Sequence, residues 1–220
     1  MKTVAFVPVK LNNQRTPGKN TKKFDDGVAL ITVFLKTLVK ISNLDELYVF
    51  CSDETIKDYL LPGVKFLKRP EYLDTQAATP QDIMAEFIKL VDADIYMVAH
   101  CTSPFVTKEH FEECIDAVKS GKHDSSFTGE KIQKLMWKDN EPLNFNAEKV
   151  PRTQDLPAIY AEVSAAYVFK KEVFLNYNRR IGITPHITEV SGVESIDIDY
   201  PEDFEIANAV YMKVLNSTNK

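Results

Sequence analysis

A chain of 220 residues, 44% apolar and 27% charged, has enough material for one α/β domain with a full core. Its formal charge of −5 excludes the broadly basic face that non-specific nucleic-acid binding requires, so any anion site must be a local cluster. No apolar run approaches the roughly 18 residues that span a bilayer, and "MKTVAFVPV" is too short, and too soon interrupted by Pro8, to read as a signal peptide.

The opening "TVAFVPV" is continuously apolar, as expected of a strand covered on both faces. It runs into the polar loop "VPVKLNNQRTPGKN" (7–20). Helical spacing of Leu30, Val33, Phe34, Thr37, Leu38 and Ile41 predicts a helix over 29–41. "ELYVFCS" (46–52) reads as a second buried strand, "DETIKDYL" (53–60) as a short helix, and "VKFLKRP" (64–70) as a weaker strand. Thr79, Pro80 and Asp82 form a helix-start signature, with a cap residue, a proline at the first position and an acid three residues on. That helix reaches about Val91. "DIYMVAH" (94–100) predicts another buried strand, and a helix follows from Thr107 to Gly121. "DSSFTG" (124–129) is a further strand, whereas "KIQKLMWKDNEPLNFN" is irregular. Strand character returns over 165–169 and is expected at 186–190 and 194–199. A C-terminal helix over 201–215 starts at Pro201 with acids in its first turn.

Strands alternating with helices imply βαβ units on a mostly parallel sheet, with ligands collecting beyond the carboxyl ends of the strands. The change of rhythm after Gly121 suggests one domain over 1–220 carrying an inserted arm at about 130–175. Cys51, Cys101 and Cys114 are odd in number and lack CxxC spacing, which favours a reducing, cytoplasmic setting. The four histidines are scattered and form no metal motif.

Chemistry-bearing residues cluster in a few places. Lys10, Arg15 and Lys19 supply cations, and Asn12, Asn13 and Asn20 supply amide donors, suited to phosphate oxygens. The same composition also suits a solvated connection. The loop is neither a Walker loop nor a dinucleotide fingerprint, since Gly18 is its only glycine. In "IDIDYPED", a strand over 194–199 would turn Asp197 and Asp199 to one face. Magnesium completed by substrate phosphate would resolve their repulsion; a solvated strand end preceding a helix is the alternative. Arg69 and the helix start at Thr79 are candidates for an anion or a base edge; a surface arginine and a routine helix cap are the alternative. His100 stands at a strand's carboxyl end, and Arg152 and Glu162 lie in the arm, where simple salt bridges would also account for them.

The ordered series "VPVKLNNQRTPGKN", "YVFCSDETI", "RPEYLDTQAATPQD", "DIYMVAHCTSPFVT", "RTQDLPAIYAEVSAAYVFKKEVF" and "ESIDIDYPEDFEIA" covers nearly the whole chain. In that order it resembles the acylneuraminate cytidylyltransferase family, which includes CMP-sialic acid synthetases and, more distantly, CMP-Kdo synthetases. The resemblance implies a Rossmann-like three-layer fold of the nucleotide-diphospho-sugar transferase type. It also implies transfer of CMP from CTP to the anomeric hydroxyl of a 2-keto sugar acid, with magnesium as cofactor and a homodimer built partly through the arm. By the same resemblance, Pro8, Val9, Lys10, Asn12, Asn13, Asn20, Arg69, Ala78 and Thr79 hold the nucleotide. Lys10, Arg15 and Lys19 stabilise the phosphates, and Asp197 and Asp199 bind the metal, Asp199 also counting among the catalytic groups. His100, Arg152, Gln154, Glu162 and Tyr167 face the sugar acid.

The chain departs from that pattern in places. Lys10, Asn12, Asn13 and Gln14 stand where the family typically has Arg, Gly, Ser and Lys. Gln14 cannot supply the missing charge, though Arg15 is one residue on. His100-Cys101 replaces Gln-Pro, Val106 an arginine, and Val163-Ser164 Asn-Gly. The first group bears on turnover and leaves open a non-catalytic nucleotide-binding relative. The second bears on which sugar acid is used, and a different sugar or base is a further alternative.

Overall fold

The structure, a computed structural model, describes residues 1–190 and 192–215. Its elements are β1 (Thr3–Val9), α1 (Leu30–Leu38), β2 (Glu46–Cys51), β3 (Val64–Lys68), α2 (Pro80–Leu90), β4 (Ile95–Ala99), α3 (Lys108–Lys119), β5 (Ser125–Ile132), β6 (Trp137–Lys138), β7 (Glu141–Pro142), β8 (Ile159–Lys170), α4 (Lys171–Tyr177), β9 (Pro185–Val190) and α5 (Pro201–Val210). Seven strands form one sheet in the order β3-β2-β1-β4-β8-β5-β9. β1 pairs in parallel with β2 and β4, β2 with β3, and β5 with β9. β8 is antiparallel to both of its neighbours. This is the mostly parallel α/β sheet expected from the alternation of elements.

Both faces of β1 are covered, which explains its unbroken apolar run. Ala5, Val7 and Val9 pack with Phe34 and Leu35 of α1 and Phe111 of α3. Val4 and Phe6 face the other way, against Met84 and Phe87 of α2 and Phe174 of α4. Phe87 is the hub of that layer: its ring stacks on Phe6 at 3.9 Å and meets Phe50 and Tyr96 edge-on at 5.5 and 6.3 Å. A third cluster of Phe24, Leu30, Phe105, Ile198, Phe204 and Tyr211 seats the C-terminal helix against the segment that follows the opening loop.

Four expectations change. Residues 53–60 form a 3-10 turn (Glu54–Tyr59) rather than an α-helix. The C-terminal helix is α only to Val210 and continues as a π turn over Tyr211–Leu215. Residues 194–199 are not a strand: a 3-10 turn, Gly192–Ser195, precedes an unladdered stretch. Two of the backbone donors there already have partners, Ile198 N bonding Thr102 O (2.8 Å) and Asp199 N bonding the Asp203 carboxylate (3.0 Å). The apolar-acid alternation survives for another reason, since Ile196 and Ile198 belong to the third cluster. Finally, the arm is shorter than 130–175. β8 lies between β4 and β5 in the main sheet, so only 133–158 project from it, including the small β6–β7 hairpin.

Candidate nucleotide site

The opening loop is a built structure. Gly18 sits at φ 64°, a left-handed conformation that glycine adopts without steric cost, and this turns the chain into the 3-10 segment Lys19–Thr21. Lys19 and Asn20 are thereby buried, at 7% and 5% exposure. The amide of Asn20 donates to Lys10 O (2.8 Å), and its oxygen accepts from the Cys101 thiol (3.3 Å), tying the loop to the end of β4. Thr16 is also buried.

The loop meets the aspartate segment directly. Arg15 Nη1 donates to Asp199 Oδ2 (2.7 Å), Lys19 Nζ lies 3.3 Å from Asp199 Oδ1 and also donates to Ile198 O, and Thr16 Oγ1 donates to Asp199 O (2.9 Å). Two segments some 180 residues apart thus share one mouth. Arg15 further stacks on Tyr200, 5.6 Å from the ring centre.

Beyond the carboxyl ends of β1 and β4 lies a cleft of about 220 Å³, lined by Pro8, Lys10, Asn13, Lys19, Asn20, Arg69, Ala78 and His100 among others. Of the expected nucleotide residues, it therefore gathers six, together with Lys19 and His100. Arg69 is only 2% exposed, not the surface arginine that sequence alone allowed. Asp74 clamps it and is itself held by Ser52. Two buried polar atoms on this wall lack partners within the protein, Arg69 Nε and His100 Nε2. An unpaired buried polar atom costs roughly 1–3 kcal/mol, and both atoms are enclosed in the wall, each with under 1 Å² of accessible surface. Burial and the nearby Arg180 and Lys19 charges press the His100 pKa down to about 4, leaving the imidazole neutral. Burial pushes the Cys101 thiol up to about 12, so it is no nucleophile.

Other expected residues stand elsewhere. The Val9 side chain belongs to the core. Asn12 lines a neighbouring, more open groove with Asp53, Glu71 and Asp74. Thr79 forms a capping box with Asp82 at the start of α2, so its hydroxyl serves the helix. Of the residues expected to face a sugar acid, Tyr167 donates to Glu162 (2.7 Å) and its ring meets His100 edge-on at 6.3 Å. Arg152 is exposed and paired with Asp155 (2.8 Å), and Gln154 shares that turn. No hydrogen bond or ion pair among the described residues joins either to the His100–Tyr167 group. Sequence reasoning missed Thr16, Ser52, Asp74, Thr102 and Arg180. Asp74, five positions after Arg69, carried a local signal; Arg180 carried none.

Because 194–199 is not a strand, the alternation expected to turn Asp197 and Asp199 to one face is absent. Asp197 and Asp199 offer only oxygen, and the Ser103 hydroxyl lies 3.5 Å from Asp197. No group of three or more His, Cys, Asp or Glu residues able to hold a metal occurs among the described residues, so a fully protein-built cage is not what is offered. One or two carboxylates completed by substrate phosphate is magnesium's usual arrangement, and Lys19 and Arg15 neutralise Asp199 in its place.

A Rossmann-like sheet with a cationic, amide-rich turn at the strand ends defines a nucleotide-handling α/β protein. The chain belongs to the cytidylyltransferase family, whose sequence profile matches residues 4–219. It is 25% identical over 213 residues to N-acylneuraminate cytidylyltransferase A of Danio rerio, covering 92% of this chain and 49% of that protein. It is 23% identical to the N-acylneuraminate cytidylyltransferase of Streptococcus agalactiae serotype III, covering 93% and 52% respectively. The chain thus spans about half the length of these curated relatives. Among solved structures, a CMP:2-keto-3-deoxy-manno-octonic acid synthetase complexed with CTP superposes with a TM-score of 0.75 at 17% identity, covering 97% of this chain and 99% of that one. A 4-diphosphocytidyl-2C-methyl-D-erythritol synthase gives 0.68 at 11% identity, covering 95% and 97%. These likenesses establish the fold. No helix among the described residues is long and apolar enough to cross a membrane.

Proposed function

We propose that the chain transfers CMP from CTP to the anomeric hydroxyl of a 2-keto sugar acid of the sialic-acid type, releasing pyrophosphate, in the cytoplasm, where CTP is available. The observation that carries this reading is the meeting of Lys19 and Arg15 with Asp199 at the mouth of a cleft whose walls hold two unpartnered polar atoms. The names of the relatives support the cytidine nucleotide and the acid class.

In this reading the acceptor oxygen attacks the α-phosphorus, the bond to the β-phosphate breaks, and pyrophosphate departs while the hydroxyl proton passes to solvent. Lys10, Arg15 and Lys19 stabilise the charge that grows on the leaving group, and catalysis is chiefly positioning and electrostatics. Arg69, held by Asp74, lines the nucleotide end of the cleft. His100, kept neutral, gives or takes one hydrogen bond on the acceptor side. Magnesium held by Asp197 and Asp199 would neutralise the α-phosphate and lower the acceptor hydroxyl's pKa. The projecting segment 133–158 exposes Trp137, Leu143 and Val150, an apolar surface suited to a homodimer.

One contact favours a second reading. Gln14, where the resemblance leads one to expect a lysine, accepts a hydrogen bond from Gln76 (2.7 Å) and so bridges two loops instead of facing phosphate. A nucleotide-binding partner subunit without turnover would use the residue in that way. Pyrophosphate release with CTP, magnesium and a panel of sialic, legionaminic, pseudaminic and Kdo acids decides the matter. Release with at least one acid is expected. A thermal shift with CTP but no release on any acid would establish the binding protein instead.

A further inference from the structure

The acceptor side of the cleft has a cation that the sequence reading did not assign. Arg180 lies flat on Tyr167, its guanidinium carbon 3.4 Å from the ring centre. Tyr167 in turn meets the cleft-lining His100. The nearest carboxylate, Glu162, is 3.9 Å away and already accepts from the Tyr167 hydroxyl at 2.7 Å. The Arg180 fork therefore makes no close bidentate pair here, the geometry for which arginine is best suited. The turn that follows it is pinned. The Asp124 carboxylate accepts from Ile183 N (2.6 Å) and Thr184 N (3.1 Å), and Gly182 N donates to Ser125 (2.8 Å). A Cβ at Gly182 would stand 2.3 Å from that carboxylate, so this turn admits only glycine as built. Stacking on Tyr167 restricts the Arg180 side chain itself, which lowers the cost of ordering it when a ligand arrives.

Two cations act on His100: Lys19, which meets Asp199 at the mouth of the cleft, and Arg180, which lies over Tyr167. A two-anion complex is what such a distribution neutralises: a triphosphate at one end and a carboxylate at the other. Resting on the transferase reading above, we propose that Arg180 is a specificity-determining residue that reads the acceptor's carboxylate, with Tyr167 as its platform beside His100. The acceptor class is then a 2-keto acid with a free carboxylate, and neutral sugars of similar size are rejected.

The test compares wild type with Arg180→Met and Arg180→Lys, using the accepted 2-keto acid and its methyl ester in the presence of CTP. Arg180→Met should raise the KM for the acid roughly 10- to 100-fold, leave the KM for CTP within about twofold, and abolish the preference for acid over ester. Arg180→Lys, which keeps the charge without the fork and guards against a folding defect, should fall between. Binding of the acid should raise the His100 pKa measured by NMR in wild type and much less in Arg180→Met. Turnover with an unchanged acid KM and an unchanged acid-to-ester ratio in Arg180→Met overturns the assignment alone. A wild type that binds CTP but no 2-keto acid overturns it together with the reading beneath it.

Discussion

Asp199 holds Arg15 and Lys19 with its carboxylate and Thr16 with its carbonyl. Replacing it by alanine removes the carboxylate while the backbone contacts remain. CMP transfer should fall by at least a thousandfold in Asp199→Ala. Stability should fall as well, because the buried Lys19 loses its carboxylate and keeps only Ile198 O, whereas the exposed Arg15 pair contributes little. Pyrophosphate release and thermal melts check both. His100 makes a prediction of the opposite sort. Its folded pKa lies near 4, below the ordinary value near 6.5, so the unfolded chain binds the extra proton between those limits. Stability should therefore be fully present above about pH 6.5 and decline as pH falls toward 4, by up to ~3 kcal/mol and less where solvent reaches the ring. In His100→Gln that part of the pH dependence should vanish from denaturant titrations. The candidates most legible in the sequence were those whose type already implies a role, such as Lys19, Arg69 and Asp199. Thr16 and Arg180 were not, because a hydroxyl or a guanidinium has no assignable task until the fold chooses its neighbour.

The helix and strand starts that could be read in advance were those with local chemistry. The box at Thr79 and Asp82 closes as the residue types require, with Asp82 accepting from Thr79 N at 2.8 Å, and Asp82→Ala should cost about 1 kcal/mol in chemical denaturation. Phe87, fully buried at the centre of its aromatic layer, should cost about 3–5 kcal/mol when cut to alanine. Where the reading failed, packing overrode period. The alternation in "ESIDID" looked like a strand, yet Ile196 and Ile198 are drawn into a cluster with Phe24 and Phe204 while backbone donors find Thr102 and Asp203. The arm was drawn too long because strand character was read only over 165–169, whereas β8 runs from Ile159 to Lys170. That β8 pairs antiparallel with β4 and β5 depends on strand order, which no local pattern encodes.

Taken as one body, the protein divides its charge unevenly: a net −5 overall, but Lys10, Arg15 and Lys19 gathered at one mouth. Nucleotide affinity should accordingly weaken as ionic strength rises past the range where the Debye length falls below about 10 Å, and titration of CTP binding against salt measures it. The homodimer proposed through 133–158 predicts that wild type sediments as a dimer and that Trp137→Ser with Leu143→Ser sediments as a monomer; a monomeric wild type overturns that proposal. One further consequence follows from the 180-residue separation of Lys19 and Asp199. During synthesis the first four strands leave the ribosome long before their partner aspartate exists, so a buried lysine waits without its counter-charge. Contacts of such span form late. Nascent chains arrested before Ile198 should therefore be unable to retain CTP however well their early sheet has formed, and nucleotide capture reports that the chain has been made through Asp199.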